Sequence, residues 1–230
     1  MPGSRRVLAL VVLPSIAVAA SVVALYGVVL PLFPAVHRYY FPESVATYAT
    51  YWPAIGGHIA GGVVALVLGP VNLWNGLRGR HRRVHRRIGT VYVAAVSVAA
   101  PCGIVMAFHA YPGTIPGGRF LITGGMTTLG LVWVATLHLA VRAIAVRHDR
   151  DLHGFWMIVN IGATYSAVWF RVLNGAIVAS GRFEQLYPLL GWAGWVPSVA
   201  VGWLLARRWL SRRRVARAAR PQHVAVAVAR

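Results

Sequence analysis

The chain has 230 residues, 58% of them hydrophobic, a mean hydropathy of +0.63 and only 12% charged side chains, a composition that excludes an ordinary water-soluble domain. Its net charge of +19 is carried by 23 arginines and no lysine, set against only Glu43, Asp149, Asp151 and Glu184. So few acids all but exclude paired-carboxylate hydrolysis and carboxylate-bridged metal centres, the single Cys102 excludes a disulfide framework, and the arginines form no nucleic-acid motif.

Apolar stretches of about 20 residues, each long enough to cross a bilayer, follow one another along the sequence. The first runs over roughly 7–33 after Arg5 and Arg6, with Pro14 placed to bend it. It is too long for the core of a secretory signal and reads as a retained helix. The stretch 34–52 is rich in Tyr39, Tyr40, Phe41, Tyr48, Tyr51 and Trp52, as expected of an interfacial aromatic belt. Further spans fall at about 53–74, 88–109, 119–143, 153–178 and 186–206. Between them, the dense basic gap Arg78–Arg87 and the gap Arg142–Arg150 alternate with gaps that carry only Arg38, Arg119 and Arg182. Positive charge in every second loop places those loops in the cytoplasm.

The expected fold is therefore an all-α polytopic membrane bundle of six transmembrane helices, a single domain over 1–206 with both termini cytoplasmic. A basic tail over 207–230 reads as a disordered or lipid-surface segment. The expected partners are the lipid bilayer itself, anionic lipid at the basic loops and tail, and no nucleic acid.

Polar side chains inside spans are costly in lipid and mark packed seams or cavities. On the fifth span His153, Asn160, Thr164 and Arg171 share one face at about 100° per residue. Interhelical hydrogen bonding accounts for Asn160 and Thr164; a guanidinium at Arg171 asks for an anionic or carbonyl-rich partner. On the second span His58, Gly62, Ala65, Gly69, Asn72 and Gly76 lie on one side, where small residues permit close helix packing or a flat ligand.

The histidines sort by depth: His37, His58 and His109 towards one face, and His81, His85, His138, His148 and His153 towards the other. Two layers of imidazoles permit the ligation of haem b, with His85 and His153 as one axial pair and His138 as the alternative partner. In the other layer His58 and His109 are the span-borne candidates, with Arg171 and Arg119 placed for propionates. His81, set among arginines, reads as a solvated loop residue.

The run His58…Gly69-Pro70-Val71-Asn72…Leu77-Arg78, then His85-Arg86-Arg87-Ile88-Gly89-Thr90-Val91-Tyr92, then His153-Gly154-Phe155-Trp156-Met157, then Arg171 resembles the bacterial membrane family known as domain of unknown function 2306. The likeness covers roughly 58–195. It departs from the family pattern at Asn72, Gly154, Phe155 and Val159. It implies a helical fold in the bacterial inner membrane and no particular reaction, and it singles out His58, His85, His153 and Arg171. His109 and His138 lie outside the shared pattern.

Three functions fit these residues. The chain is a haem-b electron carrier with iron on His85 and His153. Alternatively it is a ligand-binding, transport or sensing bundle, whose cavity is lined by Asn72, Asn160 and Thr164 and whose Arg171 holds an anion. The third reading is a structural accessory subunit.

Overall fold

The computed structural model of the chain describes residues 2–29, 32, 35, 42–79 and 81–218. His37, Arg38, Tyr39, Tyr40 and Phe41 of the expected belt lie outside the described residues, as do Arg80 and the last twelve residues, 219–230. The regular structure is all helical, with no strand among the described residues. In hydrocarbon a helix satisfies its backbone groups within one segment, so runs of Ala and Leu take this form together with Val and Gly, whose intrinsic helix propensity is weak.

The long helices are α1 (Pro2–Ala24), α3 (Trp52–Arg78), α4 (Arg82–Ala107), α5 (Gly118–Ala145), α6 (Arg150–Ala179) and α9 (Val196–Ala218). A π-helical turn, Leu25–Val29, extends α1, and a short α2 (Pro42–Thr50) occupies the expected belt. Two four-residue helices, α7 (Phe183–Leu186) and α8 (Leu190–Ala193), with a 3-10 turn at Tyr187–Leu189 between them, precede α9. Five segments are long and apolar enough to cross a membrane: Val11–Val29, Trp52–Arg78, Arg82–Ala107, Gly118–Ala145 and Phe183–Ala218. Helix α6, the longest at 30 residues, is less apolar because it carries the polar face, and it is also the most enclosed.

Helices α3, α4, α5 and α6 form a four-helix core in which each packs on its neighbour around the ring. Helix α1 lies against α3 and α6, and α9 lies along α6. Tyr92, Val96, Ala99, Trp133, Leu137, Ala140, Met157 and Ile161 fill the interior. Large apolar side chains point outward instead, including Leu13, Val98, Phe120, Leu131, Val172 and Leu204. A surface of this kind is suited to lipid, not water.

The helix ends sort into two poles. Arg78, Arg82, Arg142, Arg150 and the C-terminal half of α9 share one. Asp149 caps α6 there, accepting from the Asp151 and Leu152 amides at 2.9 Å. Asp151 pairs with Arg213 Nε at 2.9 Å and Arg217 Nη1 at 2.6 Å. These pairs tie α9 to α6 beyond the apolar stretch. The helix runs on to Ala218, into the segment from 207 that the sequence reads as disordered or lying on the lipid surface. The opposite pole is aromatic: Tyr26 meets Tyr48, His109 stacks on Tyr51, and Tyr111 packs on Phe183 and Tyr187.

Close backbone approach sets the α6–α9 seam. A Cβ on Gly162 would stand 2.9 Å from the Ser198 carbonyl oxygen and 3.2 Å from the Gly202 Cα, and Ser198 Oγ donates to the Gly162 carbonyl at 2.7 Å. Gly162→Val is expected to cost about 1–3 kcal/mol through overpacking. Gly175→Val, where a Cβ meets nothing within 4 Å, serves as the control. Thermal midpoints of the two variants in detergent test this.

Candidate functional site

At the arginine-rich pole the first turns of α4 and α6 bring His85 and His153 together. Their ring centres are 6.4 Å apart and their planes stand at 82°. Each ring is tethered on its far side: His85 Nδ1 lies 3.1 Å from the Asn72 carbonyl oxygen of α3, and His153 Nδ1 lies 2.9 Å from the Ala140 carbonyl oxygen of α5. A carbonyl only accepts, so Nδ1 carries the proton in both rings and Nε2 carries the free lone pair. Both rings are partly buried. A Cβ on Gly76 would meet His85 Cε1 at 2.7 Å, so only glycine leaves this ring its place. Beside the pair, Asn72 is 3% exposed and its Oδ1 has no hydrogen-bond partner.

Seven residues further along both helices, about 10 Å, lies a closed polar layer. Tyr92 donates to Asn160 Oδ1 at 2.6 Å and meets the Thr164 hydroxyl at 2.7 Å. Trp133 Nε1 donates to Thr164 Oγ1 at 2.9 Å. The Asn160 amide donates to the Trp133 carbonyl and to Thr136 Oγ1, both at 2.8 Å, and Thr136 donates to the Val132 carbonyl at 2.7 Å. Every donor in the layer is used. At the level of Asn160 and Thr164 the polar stripe is a packed seam joining α4, α5 and α6.

Towards the aromatic pole, His58 repeats the tether of the other two histidines, its Nδ1 lying 2.9 Å from the Ala99 carbonyl oxygen of α4. A Cβ on Gly103 would meet this ring at 2.7 Å. His58 itself is exposed. Arg171 is partly buried and acts electrostatically on His58, Tyr48 and Tyr187. Tyr26 and Tyr48 share a hydrogen bond at 3.3 Å, and burial together with the neighbouring Tyr26 pushes the Tyr48 phenol well above its ordinary range.

The sequence profile described as "Predicted membrane protein (DUF2306)" matches residues 55–206, the region that holds nearly all of α3, the whole of α4, α5 and α6, and the N-terminal part of α9. The chain belongs to the DUF2306 family. No curated protein and no solved structure matches it. Membership makes it a membrane protein with several bilayer-compatible helices and assigns no reaction.

In this DUF2306 protein the two-layer arrangement of histidines is only half assembled. His85 and His153 meet. His138 is exposed on the outer side of α5. His109 is exposed and stacks on Tyr51 with ring centres 3.9 Å apart, making no ring contact with His58. Arg119 is exposed and donates to the Phe108 carbonyl at 3.4 Å, away from any histidine pair. His81 and His148, both exposed, adopt positive φ angles of 53° at helix ends. On α3, Gly57 and Gly61 pack on α4, with a Cβ on Gly61 only 2.6 Å from the Ala95 carbonyl, whereas Gly62 faces open space. Sequence reasoning missed Tyr92, Trp133 and Thr136. The signal available for Tyr92 was its spacing of seven from His85, which matches that of Asn160 from His153.

Proposed function

We propose that the chain is a six-span inner-membrane protein that carries electrons through a b-type haem held by His85 and His153. One observation carries this reading: two imidazoles from diagonal helices come together with ring centres 6.4 Å apart, and both Nδ1 atoms are committed to backbone carbonyls. That tether fixes ring orientation and leaves Nε2 as the ligand atom, the usual arrangement around a protein-bound metal. His85 and His153 are the residues that would hold a haem iron between α4 and α6.

Among the described residues no group of three or more His, Cys, Asp or Glu could hold a metal ion. A two-histidine set would hold only a metal that brings further ligands of its own, as haem iron does. When bound, haem supplies a one-electron couple. His85 and His153 would hold the iron, the Tyr92–Asn160 layer would keep water from it, and arginines at the same pole would be available to the haem carboxylates. That layer also argues against a transport path through the bundle, because an amide that donates both protons and accepts from a phenol closes the polar track. Haem titrated into protein made in haem-deficient cells should bind one per chain with a shifted absorption band. An unshifted free-haem spectrum contradicts the proposal.

The six-span count includes α6. Thirty residues reach about 45 Å, enough to cross, and its central position shields the polar face from lipid. The arginine-rich pole then faces the cytoplasm with both termini, beside anionic lipid. A reporter fused after Arg230 should be active only if it functions in the cytoplasm. Activity of a reporter that works only outside the membrane reverses the topology.

A further inference from the structure

We propose a second site, independent of the haem reading: the polar groups around Arg171 at the aromatic pole bind a phosphate oxyanion that also carries a hydrogen-bond donor, with Arg171 as its anchor. Arg171 lies eighteen residues from His153, about 27 Å along the helix, close to the far edge of a hydrocarbon core about 30 Å thick. Among the described residues its guanidinium makes no hydrogen bond or ion pair. Asp149 and Asp151 are engaged at the opposite pole, and no described carboxylate pairs with Arg171. A partly buried guanidinium without a carboxylate is a fork for the oxygens of phosphate, which it holds bidentately.

The surroundings add donors and acceptors in the right kinds. The Tyr187 hydroxyl makes no hydrogen bond among the described residues and is free to donate. Two acceptors stand unused: the lone pair on His58 Nε2, left by the tether of Nδ1 to Ala99, and Asn174 Oδ1, one turn beyond Arg171, buried with no partner. A bare anion leaves those acceptors empty. A phosphate bearing a hydroxyl or ammonium group satisfies them. A lipid headgroup such as phosphatidylglycerol and free dihydrogen phosphate both have this chemistry; phosphatidylcholine, whose choline has no donor, does not.

The test uses the full chain in phosphatidylcholine nanodiscs, read by thermal midpoint and native mass spectrometry. One arm adds phosphatidylglycerol to the bilayer and the other titrates inorganic phosphate. The expected result is a stabilised protein with one ligand retained per chain, and the arm that produces it identifies the source. Arg171→Gln should abolish the effect and Arg182→Gln, altering an exposed loop residue, should leave it intact. If Arg171→Gln does not fold, Arg171→Lys keeps the charge without the fork and should bind about tenfold more weakly. The absorption spectrum of the distant histidine pair should be the same in every variant that folds. Wild-type protein that gains nothing in either arm, or an Arg171→Lys variant that binds as wild type, overturns the proposal.

Discussion

Asn160→Ala should destabilise the bundle by about 2–4 kcal/mol, the largest loss expected from any single interior polar change. Asn160 makes three side-chain hydrogen bonds, to Tyr92, Trp133 and Thr136. Interhelical bonds in membranes average about 0.6 kcal/mol and reach about 1.7, so the bonds alone account for about half of the effect. The remainder comes from what is left behind. The fully buried Tyr92 hydroxyl keeps only Thr164 as a partner, the Trp133 carbonyl and Thr136 lose the amide that donated to them where water cannot replace it, and the vacated volume forfeits packing contacts. Thr90→Ala, at an exposed residue bonded only to its own helix, should change stability by under about 0.5 kcal/mol. Reversible unfolding in mixed micelles measures both. Equal midpoints for the two variants contradict the view that this layer joins α4, α5 and α6. A Tyr92→Phe, Asn160→Ala double-mutant cycle should show that the two losses are not additive.

His85→Ala and His153→Ala should each remove the low-spin b-type absorption completely. The iron has only these two protein ligands in the proposed site, from different helices, so either replacement leaves one axial position without its imidazole. The secondary tethers predict a graded series as well. Gly76→Ala places a methyl group against His85 Cε1, which turns the ring without deleting it, so haem should be retained with altered affinity. His81→Ala and His148→Ala, at exposed helix ends, should leave the spectrum unchanged. His138→Ala should do the same, because that ring points away from the bundle. Loss of absorption in the His138 variant with retention in the His153 variant would reassign the ligand to α5.

Much of the architecture is legible because lipid imposes simple rules. The alternation of arginine-rich and arginine-poor gaps divides the helix ends into two poles, and the structure has the same division. The stripe on α6 was readable from angular spacing, whereas His138, taken in the sequence as an alternative haem ligand, is corrected by its exposed position on α5. Trp133, Thr136, Leu137 and Ala140 are buried at helical spacing, and His138 falls off that face by the geometry of the helix. What the sequence hides is pairing between distant segments. Tyr92 and Trp133 look like ordinary core aromatics until their polar atoms are seen to meet Asn160 and Thr164. Asp151 lies about 60 residues before the arginines of α9, so nothing local foretells that helix continuing to Ala218. The tethers of His58, His85 and His153 are to backbone carbonyls, which leave no mark in side-chain identity. Their one trace is a glycine on the facing helix, Gly103 for His58 and Gly76 for His85.

The visible spectrum of the dithionite-reduced wild-type protein, purified from haem-replete cells, tests the central claim most directly. The expected result is a sharp low-spin b-type spectrum and iron at about one per chain, the ratio that one pair of imidazoles allows. A colourless preparation with no iron by elemental analysis would contradict it, and would leave His85 and His153 as a hydrogen-bonded clamp between α3, α4, α5 and α6.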